Sequence, residues 1–486
     1  MTSTATAEKS ARSGAIAPLI VGAAAFVQAF DASAISVALP MMARDFGVPA
    51  ISLDLVITAY LVGATAFLPL CGWAADRFGA RRVFMTAVIG FGLASLACAL
   101  ATSLVWLVIA RAIEGCMGAL LLPVGRVIVL RSVPRDQTVA AISMLTLPLM
   151  LGPLLGPPLG GLILTVGSWR TLFVCNIVLS FAGALAVHRV IRDIPGGDPR
   201  PLDVRGLMLI GGALIGTTVG VGAVARGDAT SYYGGALIAG GLLCALLYWR
   251  HCQKHAHPVL DVSILRLPTV NISNIGGLFP RMLVSATPFL FALLFQIGFG
   301  LSPAAAGGII FANALGAVLG RWLLTPILRR ISFRALLTSN ALLIALSFGV
   351  CAFFTAATPL PVILGLLFVQ GVLRSLQLIG LVTLGYAGID DKHVGSASTI
   401  ASVSQQFALS LGVAASVMTL SLAQSMLGEG RLTLDAISPA FLVLAALSLL
   451  SLFWFLRLPP EAGRELVRAP KSSAEVSEVK ALENET

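Results

Sequence analysis

Residues 72–82 read GWAADRFGARR, a dense charged hinge set between two long apolar runs. Asp76, Arg77, Arg81 and Arg82 fall within seven positions, while the preceding stretch from Leu55 to Cys71 carries no charge. A run that apolar reads as a membrane span, and a short arginine-rich loop beside it reads as cytoplasmic. The alternation continues along the whole chain. It predicts fourteen helical spans centred near Phe26, Gly63, Ser95, Leu121, Gly156, Ser180, Ala213, Gly240, Ser285, Gly316, Ala345, Gln370, Leu409 and Ala446. Loops at alternate ends carry Arg77/Arg81/Arg82, Arg131/Arg135, Arg189/Arg192/Arg200/Arg205, Arg250/Lys254/Arg266 and Arg329/Arg330/Arg334, whereas each opposite loop holds at most one Arg. That asymmetry places both termini in the cytoplasm and the chain in the cytoplasmic (inner) membrane as a multi-pass protein.

Composition excludes the soluble classes. Of 486 residues, 57% are hydrophobic and 11% charged, with a mean hydropathy of +0.94. A soluble domain carries about a quarter charged residues. The net charge of +10 is spread over short loops, which is the positive-inside bias and not a nucleic-acid patch. Seven cysteines show no paired spacing, and most lie in or beside apolar runs, where a free thiol behaves as a small hydrophobe. Met1–Ser13 is polar, and the apolar stretch after it is too long for a signal-peptide core.

The expected fold is an all-α integral membrane protein of two six-helix bundles plus two inserted central helices. Its parts are a cytoplasmic N-terminal segment (1–13), an N-terminal bundle (14–193), two inserted spans with their loops (194–269), a C-terminal bundle (270–458) and a short polar tail (459–486). A weak internal repeat supports the two halves. TPILRRISFR, Thr325–Arg334, occupies the place that GWAADRFGAR holds in the first half, with Arg329 and Ser332 standing where Asp76 and Gly79 do. Repeats of this kind build many secondary transporters.

An ionisable group inside a span costs about 2.5–3.5 kcal/mol on insertion scales, so each marks a candidate site. Asp31 lies about nine residues before Pro40, hence ~13 Å from the outer end of the first span. Glu114 lies at a similar ~13 Å in the fourth span, three residues from Arg111 on the same helix face. The three form a candidate acid–base–acid cluster for proton coupling; the bland alternative is a static ion cluster that only fixes helix packing. Asp31 and Glu114 are also candidates for substrate binding. Arg281 and Arg374 are the other deep charges, suited either to an anionic substrate group or, for Arg281, to carbonyls loosened around Pro280 and Pro288. Arg126 and Arg321 sit nearer the span ends, where snorkelling accounts for them. GPLLGPPLGG, Gly152–Gly161, punctuates the fifth span; Gly152, Gly156, Pro157, Gly160 and Gly161 read as a kinked, close-packed helix acting as a gate. His251, His255 and His257, with Cys252, make a possible metal cluster in HCQKHAH, with His251 and His255 at helical i,i+4 spacing; no CxxC accompanies them, so an interfacial loop of titratable residues is the favoured reading and no metal is assigned. No GxxxxGK[ST] is present, so the chain carries no P-loop of its own.

Taken together, these stretches resemble the major facilitator superfamily, and within it the fourteen-helix drug:proton antiporters, from about Pro18 to Leu458. GWAADRFGARR resembles the superfamily's signature loop at Gly72, Asp76, Arg77, Gly79, Arg81 and Arg82. FDASAISVALP (Phe30–Pro40) resembles the first-helix motif with its acid on Asp31, and RAIEGCMGA (Arg111–Ala119) the fourth-helix motif with its Arg on Arg111. GPPLGG (Gly156–Gly161) resembles the fifth-helix motif of exporters, while SWRTLFVCN (Ser168–Asn176) and HPVLDVSIL (His257–Leu265) resemble further family segments. The resemblance implies alternating access around a cavity lined by spans 1, 2, 4 and 5 and by spans 9, 10, 12 and 13. It further implies proton coupling through Asp31 and Arg111, a signature loop that steadies one conformation, and a Gly/Pro helix that limits proton leak. Three departures stand out: Glu114 where the motif usually has Gln, Leu55 where a Trp is usual, and Arg281 and Arg374 outside the pattern.

The resulting expectation is a proton-coupled exporter of small amphipathic compounds, not an enzyme. It needs the proton gradient as its energy source and no cofactor. Its partners are the lipid bilayer, a small-molecule substrate and protons, with no nucleic acid; a periplasmic adaptor stays open. An uptake symporter and a non-transporting sensor or assembly subunit are the alternatives.

Overall fold

The computed structural model describes residues 2–133, 138–191, 193, 201–226, 231–255, 258–389, 394–427 and 432–463. Arg135, Arg192, Arg200, His257 and the tail after Gly463 lie outside the described residues. Fourteen helices are long and apolar enough to cross a membrane: α1 (Ile16–Phe46), α2 (Ala50–Phe78), α3 (Ala80–Ala99), α4 (Leu104–Ser132), α5 (Leu147–Val166), α6 (Arg170–Val190), α7 (Val204–Arg226), α8 (Ser231–Cys252), α9 (Pro268–Gly298), α10 (Pro303–Leu328), α11 (Phe333–Cys351), α12 (Leu360–Leu384), α13 (Ala397–Leu427) and α14 (Leu434–Phe455). Every expected span centre falls inside one of them. No strand occurs among the described residues.

Two local expectations need correcting. The charged hinge is almost entirely helical: Cys71–Phe78 continues α2, and α3 begins at Ala80. Gly79 alone makes the turn, at φ 87°, a backbone conformation that costs glycine little. Asp76 lies 3.3 Å from Arg131, Arg82 lies 3.4 Å from Asp193, and Arg81 donates to the His188 carbonyl at 2.8 Å. The hinge therefore ties the basic ends of α2 and α3 to those of α4 and α6. The second correction concerns α1, which runs through Pro40 to Phe46 instead of ending at the proline. A proline is tolerated in a membrane helix where neighbours satisfy the backbone it frees.

Helix pairings repeat with an offset of eight. In the first bundle α1 packs on α5, α2 on α4, and α3 on both α4 and α6; in the second α9 packs on α13, α10 on α12, and α11 on both α12 and α14. The two bundles meet through α5 against α10 and α2 against α13, which are each other's equivalents under the same offset. The inserted α7 and α8 pack mainly on one another, and α7 leans on α2 and α13. Glycines set the closest approach within each half. A Cβ on Gly63 or Gly115 would strike the Ala112 or Tyr60 carbonyl, and one on Gly316 or Gly371 the Phe368 or Asn313 carbonyl. One reciprocal glycine pair thus locks α2 to α4, and its repeat locks α10 to α12.

The end opposite the basic loops is closed across the bundles. Phe30, Leu39 and Trp169 share one apolar core with Phe289, Phe291, Phe295, Phe348 and Phe441. Gln296, in a π-helical turn of α9 (Leu294–Gly298), donates to the Val37 carbonyl of α1 at 2.9 Å. Gly307 of α10 lies directly under the Pro157 carbonyl, and Gly161 of α5 under that of Pro303. By contrast, Gly308 faces open space.

This contrast makes a test. Gly307→Ala must push α5 and α10 apart, and we expect it to lower the thermal midpoint in detergent by roughly 2–4 °C or more, the shift that about 1 kcal/mol produces in a large domain. Gly308→Ala, which gains helix propensity without a clash, should leave the midpoint unchanged or raise it. Equal effects of the two substitutions would show that the crossing is not packed this tightly.

Candidate functional site

The site is assembled by α1, α3, α4 and α6 around one guanidinium. The three-residue spacing on α4 puts Arg111 and Glu114 on one face, and Arg111 Nη1 reaches Glu114 Oε2 at 2.8 Å. The same nitrogen reaches Asp31 Oδ2 of α1 at 2.6 Å. Asn176 of α6 donates to Asp31 Oδ1 at 2.8 Å, and Ser95 of α3 donates to Glu114 Oε1 at 2.5 Å. Cys98 Sγ lies 3.6 Å from Glu114 Oε2. All four carboxylate oxygens therefore accept a hydrogen bond. The Arg111 Nε–H donates to the Val56 carbonyl at 3.4 Å, and the guanidinium lies 4.6 Å from the Tyr60 ring centre and 5.9 Å from that of Phe173. Asp31, Arg111 and Glu114 are 3%, 1% and 0% exposed, so the cluster is sealed in this conformation.

The charge count decides what such a cluster can do. Two ionised carboxylates and one guanidinium leave one net negative charge in an apolar bundle, and one proton brings the group to neutrality. Arg111 stays paired whichever acid takes that proton. Buried charges persist only when paired and hydrogen-bonded, and both conditions hold here.

The second bundle holds the neutral counterpart. Glu114 precedes Gly115 of the first glycine pair, and Gln370 precedes Gly371 of its repeat. Ser95 faces Glu114; Ser347 lies 3.5 Å from Gln370 Nε2. Asn313 extends this uncharged chain by donating to Gln370, and Asn340 donates to Gln377 in a second amide pair. The acidic cluster therefore belongs to one half of the repeat only.

The remaining candidate residues do not join it. Arg281 is buried and donates to the Ser273 carbonyl at 2.7 Å, within the π-helical turn Ile272–Gly276. A π-turn shifts the hydrogen-bond register and leaves a carbonyl for a side chain to take up. Arg281 thus meets a loosened carbonyl, as one of its two readings expects, but upstream of Pro280. Arg374 lines a small cavity between α9, α11 and α12 with Thr287, Phe348, Gln370 and Gln377. In the Gly/Pro helix, Gly152, Gly156 and Gly160 pack on α1 at Ala29, Ser33 and Ala34, and Ser33 Oγ donates to the Gly152 carbonyl at 3.1 Å. Pro157 and Gly161 instead face α10. One face holds the helix that carries Asp31; the other forms the bundle crossing.

Sequence reading missed Asn176, Ser95 and Cys98. Asn176 carried a signal, being a lone amide in the apolar run of α6, and it closes the SWRTLFVCN segment. Ser95 and Cys98 are too ordinary in membrane helices to stand out.

Comparison with known proteins agrees with this architecture. The family model of the Major Facilitator Superfamily matches residues 21–413. The HsrA transport protein of Haemophilus influenzae is 32% identical over 452 residues, covering 93% of this chain and 97% of its own length. The MdtD protein of Klebsiella pneumoniae, named for multidrug resistance, is 32% identical over 460 residues, covering 92% and 95%. Among solved structures, a peptide transporter in complex with sulfate superposes with a TM-score of 0.70 at 15% identity, over 92% of this chain and 95% of that one. With the family model spanning most of its length and relatives of this identity along nearly all of it, the chain belongs to the Major Facilitator Superfamily of membrane transporters.

Proposed function

We propose that this transporter is a proton-coupled exporter of small amphipathic compounds, working by alternating access in the cytoplasmic membrane with its basic loops and both termini in the cytoplasm. The observation that carries the reading is the sealed Asp31–Arg111–Glu114 cluster, two carboxyl groups on one guanidinium, so that with both acids ionised a single proton would remove its net charge. The direction of transport rests on the relatives named for multidrug resistance and on the Gly/Pro helix. Protons entering from outside neutralise Asp31, and the substrate leaves as the two ends exchange access. A ligand shifts an equilibrium only through differential affinity, so proton and substrate must favour different states. With the end opposite the basic loops closed, the described conformation is the one that would receive substrate from the cytoplasm.

The decisive measurement is substrate-induced proton release from the purified protein. Wild type should release protons on adding a transported compound, and Asp31→Asn should release none while staying folded; undiminished release by the variant refutes the role of Asp31. Glu114→Gln should retain release, because Gln370 occupies the matching position of the second bundle without disturbing it. Loss of release in that variant would move the proton to Glu114. Arg111→Ala leaves two buried carboxylates facing each other with no cation. We expect it to cost about 3–5 kcal/mol, seen as a lowered thermal midpoint, whereas Asp31→Asn leaves Arg111 paired with Glu114 and costs less.

A further inference from the structure

Away from the transport cluster, the inserted pair brings Asp203 against two metal-ligating side chains at least 48 residues later in the sequence, His251 and His255. His251 Nε2, on the last turn of α8, sits 2.8 Å from Asp203 Oδ1 and 3.0 Å from Oδ2, just before α7. One turn further on, the His255 ring stacks on that of His251 with centres 4.9 Å apart and planes 21° from parallel. One donor atom from each of the three lies within 4.8 Å of the others. Cys252, adjacent in sequence, is not part of the group: its Sγ lies 3.5 Å from the Leu260 carbonyl.

The three are held by specific packing. Asp203 Oδ1 accepts the Gly206 N–H at 2.8 Å, capping the start of α7, and a side chain at Gly206 would strike the carboxylate. On the other side, Tyr248 clamps the chain after His255: its hydroxyl donates to the Leu260 carbonyl at 2.7 Å and accepts the Leu260 N–H at 2.8 Å. Asp203 is itself buried. The flanking cations Arg205, Arg250 and Lys254 are exposed to solvent, where their repulsion is screened.

We propose that Asp203, His251 and His255 form a binding site for a divalent transition-metal ion, zinc above all, that staples the basic ends of α7 and α8 together. Two imidazoles and one carboxylate with an open fourth position are a known zinc donor set. At zinc–ligand bonds of about 2.0–2.1 Å, tetrahedral donor atoms lie about 3.3 Å apart. The Asp203–His251 pair needs to open slightly, and the exposed His255 needs only to turn inward. Calcium and magnesium are disfavoured because they require oxygen ligands. The connector that follows leads into α9 and packs, through Leu260 and Ile264, in one apolar cluster with Ile400 and Val403 of α13. A bound ion would therefore stiffen the link between the inserted pair and the second bundle.

The test is zinc binding by the purified full-length protein, freed of any affinity tag and of metal, followed by calorimetry and by the visible absorption of cobalt as a spectroscopic substitute. The expected result is one zinc per chain, weakened at least tenfold by His255→Ala and by Asp203→Asn, and unchanged by His188→Ala. His255 is exposed, so its variant separates ligation from folding, and the thermal midpoint of the metal-free protein should not move. Absence of zinc binding overturns the proposal. So does binding that Asp203→Asn leaves intact while His257→Ala removes it, since the histidines of the HCQKHAH stretch alone would then hold the ion. The readout is independent of transport, so neither result bears on the proton-coupling reading.

Discussion

A guanidinium buried in a bilayer protein must have its charge and its N–H groups satisfied, and Arg111 receives counter-charge twice through a single nitrogen. That constraint organises the first bundle. Asp31 has to come from α1, Glu114 from the next turn of α4, and the remaining carboxylate oxygens are closed by Asn176 of α6 and Ser95 of α3. Val56 of α2 contributes its carbonyl. Five helices of the first bundle thus converge on one charge, in a medium where an unpaired one would cost several kcal/mol. The close glycine crossing of α2 and α4 serves the same end, since it brings the Tyr60 ring over the guanidinium.

The second bundle keeps the scaffold of the first and drops its buried acids. The glycine pair, the serine facing α12 and the helix pairings recur, but Gln370 replaces the carboxylate, and no acid of α9 matches Asp31. The repeat explains how two halves with little sequence in common share one architecture: packing is fixed by small residues at crossings, and the polar contents of each bundle are free to differ. A half with a buried acidic cluster and a half without one give the molecule an asymmetry that geometry alone would not. Arg281 shows the same freedom, its charge solvated by a π-turn carbonyl where Arg111 has carboxylates.

Much of this was legible in the sequence, and the reasons are physical. Apolar length and the placement of arginines betray membrane helices directly, so all fourteen spans could be counted. Asp31, Arg111 and Glu114 announced themselves because charge inside an apolar run is costly, and helical spacing put two of them on one face. Helix ends were harder: hydropathy cannot tell a charged helical extension from a loop, which is why GWAADRF read as a hinge and Pro40 as a terminus. Long-range partners were illegible where the residue type is common. Asp203 lies 48 residues from His251, and nothing in a terminal Asp before an apolar run says which ring it will meet. The same holds for Ser95 and for the division of the α5 glycines between α1 and α10.

The proposed coupling gains its mechanical side from α1. This helix carries Asp31, and six residues later, ~9 Å along its axis, the Val37 carbonyl that Gln296 of α9 holds at the closed end. Its other face is gripped by Gly152, Gly156 and Gly160 of α5, whose far side meets α10 at Pro157 and Gly161. When Asp31 is ionised, α1 is pinned to α4 through Arg111. A proton on Asp31 would weaken that tie while Glu114 still satisfies the guanidinium, so the change falls on α1 and not on α4. A helix loosened at its middle and bonded at its end to the opposite bundle is placed to pass a change of charge to the bundle crossing. In such an arrangement Glu114 does not compete with Asp31 for its role. It keeps Arg111 in place while Asp31 changes state, which would explain a carboxylate at a position where the related motif carries an amide.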